Sequence, residues 1–180
     1  ASRTYARETG RDQTYFIDLQ SGHEAFLSGL GKGTRARVKS SEKRMTEQSS
    51  FLVRNVSGVG SELLLKPIKE LHAQRWDNQE SFAAYRKFLD ALLSLNDGDG
   101  GSGGIELAGV QLHYEGAIVA ATLDLCYKSA VYNLMLGFRE VGVKRVSLGL
   151  LVLSLVIQRR SLSDEKLETY DLLAGSGKRT

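Results

Sequence analysis

The sequence predicts a mixed α/β domain of the α+β kind, with a largely antiparallel central sheet flanked by helices. Ala117–Tyr127 and Ala130–Phe138 are rich in β-branched, aromatic and aliphatic residues, and only Lys128–Ser129 separates them, which is typical of a β-hairpin. Ser147–Gln158 is apolar on nearly every face, which indicates a helix that is covered on all sides. The other helical patterns precede this half of the chain.

The N-terminal region contains an arm, a strand and two helices. Ala1–Asp12 shows no periodicity, whereas Thr14–Leu19 has the composition of a strand. Gly22–Leu30 predicts a short helix that ends at the glycines after it. Thr34 is a candidate N-cap for a second helix, which runs to about Glu47 and carries the basic residues Arg35, Arg37, Lys39, Lys43 and Arg44.

This basic helix allows two interpretations. Its charges form a solvated face on a lightly docked helix, as most charge runs do. Alternatively, they form an anion-binding face for a nucleotide, a phosphate group or a nucleic acid. No aromatic residues are interleaved with the charges, so stacking against nucleic-acid bases is the less favoured version.

The middle of the chain predicts a strand and two helices. Phe51–Val56 has strand composition, and Glu62–Trp76 has the apolar spacing of a helix. Pro67 either lies in the first turn of a helix that begins near Leu65 or kinks a longer one. Ser81–Leu95 carries one apolar stripe, which indicates a helix packed on the core.

The C-terminal half follows a glycine-rich loop, Asn96–Gly104. Ile105–His113 predicts the strand before the hairpin, Arg139–Arg145 is a charged loop, and Glu168–Leu173 is the last strand. Gly149, in the first turn of the apolar helix, lets a ligand approach the backbone, and the free N–H groups there suit an anion. The start of this helix is therefore a candidate cofactor site.

The composition fits one globular domain. The chain has 180 residues, 42% of them hydrophobic, and its formal net charge of +3 does not by itself indicate a nucleic-acid partner. We divide it into residues 1–50, the arm and basic helix, and residues 51–180, the core. The missing initiator methionine and the end after a glycine-rich turn suggest a fragment of a longer chain.

Several classes of protein and site lack support. The longest apolar run, Leu148–Ile157, is far shorter than the ~18 residues that a membrane span needs. The polar N-terminus is unlike a signal peptide, so we expect a cytoplasmic protein without a membrane span. Cys126 is the single cysteine, which excludes an intramolecular disulfide and a cysteine-based metal cluster. The histidines lack metal-ligand spacing, and the C-terminal AGSGKRT lacks the first glycine and the following helix of a phosphate loop.

Four stretches, taken in order, resemble the GNAT acyltransferase superfamily, specifically its FemAB-like branch, which includes CelD-like proteins associated with cellulose biosynthesis. They are GKGTRARVKSSEKRM, LHAQRW, the hairpin YEGAIVAATLDLCYKSAVYNLMLGF, and the pair SLGLLVLSLVIQ and TYDLLAGSGK. The usual pyrophosphate loop, Q/R-x-x-G-x-G/A, is reduced here to KRVSLG, with Gly149 in register. The resemblance implies a GNAT-like fold for the single domain.

The resemblance also implies an acyl-CoA site, with acetyl-CoA as the expected cofactor and no metal. Pantetheine would lie along the strand that contains Tyr132–Gly137, with Leu134 and Leu136, or along its hairpin partner Leu123–Leu125. A backbone N–H of that strand would hold the thioester carbonyl. The pyrophosphate would lie at the start of the apolar helix, at Val146, Ser147, Leu148, Gly149 and Leu150.

Four polar residues are candidates for catalysis. Asp124 and Asn133 interrupt apolar strands, and the two-residue turn places them near one another across the ladder. They mark a site or a face that meets solvent, because a buried charge is costly unless it is paired. By the resemblance, Tyr132 or Tyr127 would protonate the leaving thiolate, and Asp171 would orient the acceptor.

The acceptor side rests on Arg75 and Trp76, which by the resemblance would line the acceptor groove, although a core position is the commoner fate of a tryptophan. The implied activity is transfer of an acyl group from acyl-CoA to an amine acceptor, a small molecule or a glycan. Two alternatives stay open. One is a FemAB-like transferase that uses aminoacyl-tRNA, and the other is a non-catalytic binding or assembly domain in a polysaccharide or cell-envelope pathway. FemAB-like proteins pair two GNAT-like halves, so a homodimer or a second GNAT-like domain is expected.

Overall fold

A computed structural model describes residues 14–57, 61–73, 87–89, 91–92, 104–163 and 166–173. One sheet contains the strands β1 (Phe16–Asp18), β2 (Phe51–Ser57), β3 (Ile105–Tyr114), β4 (Ala117–Tyr127), β5 (Ala130–Phe138) and β6 (Thr169–Asp171). The helices with described bounds are α1 (Gly22–Gly29), α2 (Lys32–Glu47), α3 (Ser61–Ala73) and α4 (Leu148–Ser161). Residues 87–89 and 91–92, within the predicted helix Ser81–Leu95, are also helical.

The six strands lie in the order β1-β6-β5-β4-β3-β2. β5 and β6 run parallel, and every other neighbouring pair in this sheet is antiparallel. Parallel neighbours need a crossover connection, and α4 supplies it. The predicted mixed fold with a largely antiparallel sheet flanked by helices is therefore confirmed.

The helix α4 is buried between the sheet and the two N-terminal helices. Leu151, Val152 and Ile157 of α4 are fully buried, and the helix contacts β3, β4 and β5 as well as α1 and α2. The other face of the sheet carries α3, whose Leu64, Ile68 and Leu71 pack in a second core cluster. The prediction that an all-apolar helix is covered on every side is confirmed.

Pro67 lies inside α3, which begins at Ser61 rather than near Leu65. A proline in a helix removes the bond to the carbonyl four residues earlier, here that of Leu63. The side-chain amide of Gln111, in β3, donates to this carbonyl at 2.7 Å. The sheet thus satisfies the acceptor that the proline leaves open, and the helix continues to Ala73.

Some predicted boundaries are wrong. Thr34 is not an N-cap, because α2 already begins at Lys32 and its N-cap is Gly31. The last strand covers Thr169–Asp171 instead of Glu168–Leu173. The hairpin strands β4 and β5 have the predicted bounds.

The N-terminal region belongs to the same layered structure as the rest of the described chain. β1 pairs with β6 at one edge of the sheet, and α1 and α2 pack on α4. Val38 and Ser41 of the basic helix are buried, so this helix is docked by one face while its charges point outward. Across the described residues, no helix combines the length and apolarity needed to span a membrane.

Candidate functional site

A β-bulge lies in β5 beside the predicted catalytic residues. Asp124 lies opposite Asn133, but Leu123 lies opposite Met135, so β5 gains one residue at Leu134. Bulges re-aim the side chains around them and are frequent next to active sites. Here the bulge ends the simple alternation of β5, because Asn133 contacts the α4 side whereas Met135 packs against the α3 side.

The bulge separates the two residues predicted to border pantetheine. Leu134 packs at the margin of the core cluster on the α3 side, and Leu136 packs at the margin of the cluster on the α4 side. Both are half-buried. The structure therefore places these two leucines on opposite faces of β5 rather than along one wall.

Asp124 and Asn133 lie side by side, as the hairpin register predicts. Nδ2 of Asn133 and the hydroxyl of Tyr170 both donate to Oδ1 of Asp124, each at 2.9 Å. The hydroxyl of Thr122 donates to Oδ2 at 3.2 Å. Asp124 and Tyr170 have no exposed surface. These four residues form a closed polar network, which we call the sealed cluster.

The sealed cluster places a carboxyl group in an apolar core. Burial raises the pKa of Asp124, while the three donors and the nearby positive charge of Arg160 oppose the rise. Burial and the adjacent carboxylate raise the pKa of Tyr170 well above its usual 10.0, so its hydroxyl keeps its proton and remains a donor. The network holds β4, β5 and β6 together through side chains as well as through backbone pairing.

Tyr132 and Asp171 face away from the sealed cluster. They are register partners on the parallel strands β5 and β6. Each is adjacent in sequence to a residue of the sealed cluster, so strand alternation points both to the opposite face. Oδ1 of Asp171 accepts hydrogen bonds from the hydroxyl of Thr14 and, at 2.8 Å, from the backbone N–H of Leu173. The predicted catalytic residues thus form two pairs on opposite faces of the sheet.

A groove of about 540 Å³ lies between α2 and the loop that precedes α4. Its lining includes Arg37 and Ser40 of α2 and Arg145, Val146 and Ser147 of the loop. Arg145 has a φ of +65°, in the left-handed region that non-glycine residues seldom adopt. Two arginine residues therefore line the groove at the start of α4, where the sequence predicts an anion site.

The backbone at the start of α4 supports the same interpretation. The N–H of Ser147 donates to Oγ of Ser41 at 3.0 Å, and this hydroxyl donates to the carbonyl of Arg37 at 2.8 Å. Ser147 does not cap the helix with its side chain. The N–H groups of the first turn have no acceptor within a helix, so they point toward the groove end of α4. α2 is clamped to this point by Ser41.

The predicted pyrophosphate residues have different surroundings. Val146 and Ser147 line the groove, Leu148 is buried in the core, and Leu150 is half-buried. A Cβ atom at Gly149 would lie 2.6 Å from the ring of Phe138. The glycine is therefore required by packing against Phe138, whether or not a ligand approaches it.

The remaining predicted site residues are those of the acceptor groove. Arg75 and Trp76, the predicted acceptor-groove residues, lie outside the described residues. Within the described residues, no group of three His, Cys, Asp or Glu side chains is arranged to hold a metal ion. Arg37 belongs to the anion-binding face that was one of the two interpretations of the basic helix. Arg145 was not singled out by sequence reasoning.

Sequence reasoning also missed a polar contact among three helices. Nε2 of His23 in α1 lies 2.7 Å from Oγ of Ser154 in α4, and this hydroxyl donates to Oε1 of Glu42 in α2 at 2.6 Å. Ser154 is fully buried, and its proton is directed to the carboxylate rather than to the imidazole. The contact joins α1, α2 and α4, and a serine inside an apolar helix was its only sequence signal.

Comparison with solved structures supports the fold. The C-terminal domain of a protein assigned as a lysylphosphatidylglycerol synthetase, from Agrobacterium fabrum, superposes with a TM-score of 0.53 at 14% identity, over 91% of this chain and 46% of that one. A conserved protein of unknown function from Bacteroides thetaiotaomicron gives a TM-score of 0.54 at 13% identity, over 89% and 49%. This chain thus spans about half the length of these structures.

A tandem GNAT protein from the clavulanic acid biosynthesis pathway matches with a TM-score of 0.45 at 10% identity, over 74% of this chain and 39% of that one. No curated protein sequence matches the chain. The family model of the acetyltransferase (GNAT) domain matches residues 32–178, from the first residue of α2 to a point beyond β6. Since this match takes in most of the chain, the protein belongs to the GNAT acetyltransferase domain family.

Proposed function

We propose that this domain transfers an acyl group from acyl-CoA to an amine acceptor, a small molecule or a glycan. The observation that carries the proposal is the groove at the start of α4, bordered by Arg37 and Arg145. Guanidinium groups and the free N–H groups of a helix N-terminus both bind phosphate oxygens. A pyrophosphate at this position lies at the end of β5, the strand along which the acyl chain would extend.

The proposed chemistry needs three events. The amine nitrogen attacks the thioester carbonyl, the C–S bond breaks as the C–N bond forms, and the proton lost by the amine is balanced by one gained by the leaving thiolate. In our proposal Tyr132 gives a proton to the thiolate and Asp171 orients the acceptor. The hydroxyl of Tyr132 is in no hydrogen bond with the residues that the structure describes, so it is available for this role.

The remaining candidates have indirect roles in this proposal. Asp124 and Asn133 act as positioning residues, because the sealed cluster ties β5 to β6 on the face behind Tyr132 and Asp171. A backbone N–H of β5 near the bulge polarises the carbonyl. The pantetheine arm runs along the edge of β5, with Leu134 on one side of it and Leu136 on the other. Arg75 and Trp76 keep their proposed place at the acceptor groove.

Charge reversal in the groove tests the proposal. The double variant Arg37→Glu, Arg145→Glu should weaken acetyl-CoA binding by at least about tenfold, because a hydrogen bond to a charged group contributes about 1.5–3 kcal/mol. Calorimetric titration measures this affinity. Lys39→Glu is the matched control, since Lys39 lies on the exposed part of the same helix and not in the groove. Unchanged affinity in the double variant would exclude the groove as the cofactor site.

Turnover separates the enzyme from the non-catalytic alternative, a binding or assembly domain in a polysaccharide or cell-envelope pathway. That alternative retains support because packing against Phe138 alone explains Gly149. Release of free CoA thiol in the presence of amines, followed with a thiol reagent, should accompany acetyl-CoA binding in an enzyme. Tight binding with no thiol release from a panel of amines would favour the non-catalytic domain.

The exposed charges of α2 favour a second candidate, a FemAB-like transferase that takes its acyl group from aminoacyl-tRNA. Lys39 and Lys43 are both exposed on this helix. Of these two lysines, Lys43 forms a described ion pair, with Glu47 of the same helix at 3.7 Å. Phosphate contacts make nucleic-acid affinity fall steeply with salt. Replacing both lysines by glutamate should therefore weaken tRNA binding while leaving acetyl-CoA binding intact. An affinity for tRNA that does not change with salt concentration would exclude this candidate.

We place the domain in the FemAB-like, CelD-like branch as part of the same proposal. The support is its coverage of about half of the two superposed structures, 46% and 49%, since FemAB-like proteins pair two GNAT-like halves. A homodimer or a second GNAT-like domain would then complete the protein. Light scattering on the isolated chain tests the first version, and a mass of 19.8 kDa at high concentration would exclude the homodimer.

A further inference from the structure

Three side chains form a line across β1, β6 and β5. Phe16 is the register partner of Asp171, and Asp171 is the register partner of Tyr132. Neighbouring strands lie about 4.8 Å apart, so the three side chains stand next to each other as aromatic, carboxylate and aromatic. We call this line the aromatic–carboxylate row.

All three side chains of the row point away from α4. Their sequence neighbours Ile17, Tyr170 and Val131 pack in the core cluster on the α4 side. Successive side chains of a strand alternate between faces, so Phe16, Asp171 and Tyr132 share the opposite face. The row is therefore separated by the sheet from the sealed cluster and from the buried polar contact of the helices.

The row has unused binding capacity. Phe16 is 69% exposed, which is unusual for a phenylalanine, and Tyr132 and Asp171 are half-buried. Both donors to Asp171, Thr14 and Leu173, bind Oδ1. Oδ2 of Asp171 and the hydroxyl of Tyr132 receive no hydrogen bond from the part of the chain that the structure describes. Asp171, the register partner of both aromatic residues, thus has one carboxylate oxygen that accepts no hydrogen bond within the described residues.

A carboxylate between two aromatic residues favours binding of a cation. A carboxylate pairs with an ammonium group, and aromatic faces within about 6 Å add cation–π attraction. Asp18 lies on the same face, two residues from Phe16, although Ser21 and the backbone of Gln20 already bind its carboxylate. We propose that the aromatic–carboxylate row binds a primary alkylammonium group, that of the acyl acceptor. The bound group gives one proton to solvent, and the neutral amine then attacks the thioester carbonyl. The identity of this group as the acyl acceptor rests on the proposed function. The binding of an ammonium group follows from the side chains of the row alone.

The place of the row fits an acceptor. Tyr132 and Asp171 form the last described pair of the parallel β5–β6 ladder. β5 continues from there to Phe138, just before the loop that leads to the groove. β6 ends opposite Tyr132, so the later part of β5 has no described strand beside it on that edge. An acyl donor bound at the groove and extended along this edge would bring its reactive end toward Tyr132. The ammonium site and the anion site would then lie at the two ends of the same stretch of β5.

Titration of the intact chain with 1,5-diaminopentane, in the absence of any CoA compound, tests the row. Calorimetry should detect binding, and Asp171→Asn should weaken it by about tenfold, because the amide keeps an acceptor for Thr14 and Leu173 but loses the charge. Phe16→Leu and Tyr132→Leu should each weaken it by about three- to tenfold, because leucine removes the ring that attracts the cation. Glu24→Gln, which removes an exposed charge from α1, is the control and should not change the affinity.

An uncharged ligand shows whether the charge is recognised. Pentan-1-ol has a similar chain without charge and should not bind. Equal affinity for the amine and the alcohol, or an Asp171→Asn variant that binds the amine as tightly as wild type, would overturn the proposal. Matching circular dichroism spectra and melting temperatures show that the variants are folded.

The design separates this inference from the proposed function. Amine binding that depends on the row, together with no acetyl-CoA binding, would leave the ammonium site standing and remove the acyltransferase. Acetyl-CoA binding that depends on Arg37 and Arg145, together with row variants that bind the amine as wild type, would remove only the row.

Discussion

Asp124 and Asp171 are aspartates of the same sheet, separated by one strand, yet their surroundings are opposite. Asp124, in β4, has no exposed surface, and Asn133, Tyr170 and Thr122 donate to its two oxygens. Asp171, in β6, is half-buried on the other face, and its two donors share one oxygen. The first carboxyl group is saturated by the protein, whereas the second can still accept a ligand.

The difference shows how little a polar residue in an apolar strand says about function on its own. The donors to Asp124 offset only part of its desolvation, and removing any of them leaves a costly buried group, so the network serves the fold. Asp171 keeps contact with solvent and has capacity to spare. Buried and satisfied polar groups thus indicate architecture, while half-open ones beside aromatic rings indicate a binding site.

The largest effect should come from truncating the sealed carboxylate. Asp124→Ala leaves Asn133, Tyr170 and Thr122 without their shared acceptor and should lower the free energy of unfolding by about 3–5 kcal/mol. Asp171→Ala, on the open face, should cost about 1 kcal/mol, because water can replace the lost acceptor. Urea denaturation monitored by circular dichroism compares the two. Equal losses would abolish the distinction between a sealed and an open carboxylate.

A smaller effect should follow from deleting one hydroxyl on each face. Tyr170→Phe removes one of the buried donors to Asp124 and should lower the free energy of unfolding by about 1–2 kcal/mol. Tyr132→Phe should change it by less than about 0.5 kcal/mol, since it removes no described contact. If the proposed function holds, Tyr132→Phe should reduce turnover, measured as thiol release, more than Tyr170→Phe does. A Tyr132→Phe variant with full turnover would exclude Tyr132 as the proton donor.

The smallest effect should be a change in pH dependence. The pKa of Asp124 is raised in the folded state above its ordinary 3.8, so the folded protein binds this proton more tightly than the unfolded chain. The stability contributed by Asp124 is therefore fully present below pH 3.8 and decreases as the pH rises through the raised pKa.

Asp124→Asn removes this titration but keeps an acceptor for Asn133 and Tyr170. The free energy of unfolding of the wild type relative to this variant should thus fall with increasing pH across that window and level off above it. Urea titrations at a series of pH values measure the difference. Asp171→Asn serves as the control, because it leaves Asp124 in place and should keep the slope that Asp124 contributes. Identical profiles for the wild type and Asp124→Asn would contradict a raised pKa for Asp124 in the folded protein.

Local sequence patterns were sufficient for much of the fold. The bounds of β4 and β5 follow from two strand-like runs and a two-residue turn, and the same turn places Asp124 opposite Asn133. The burial of α4 follows from its composition. Each of these depends on neighbours within a few residues, where periodicity is informative.

The candidate site was predictable only in part, because its parts are distant in sequence. The start of α4 was expected to bind an anion, but its arginines come from α2 and from the preceding loop. The carbonyl of Leu63 receives its donor from β3, far along the chain, so the sequence did not decide whether Pro67 begins α3 or lies within it. Contacts of this kind depend on which elements pack together, which periodicity does not encode.

The sequence by itself determined the elements of this protein, the hairpin register and the identity of its polar strand residues. Only the tertiary structure decided which residues of β6 meet them. The parallel pairing of β6 with β5 brings Tyr170 to Asp124 and Asn133 on one face and Asp171 to Tyr132 on the other. The physical reason is that a side chain's face depends on its strand's register with partners that lie far away in the chain. The tertiary structure therefore turns one predicted set of catalytic residues into a sealed cluster and an open row.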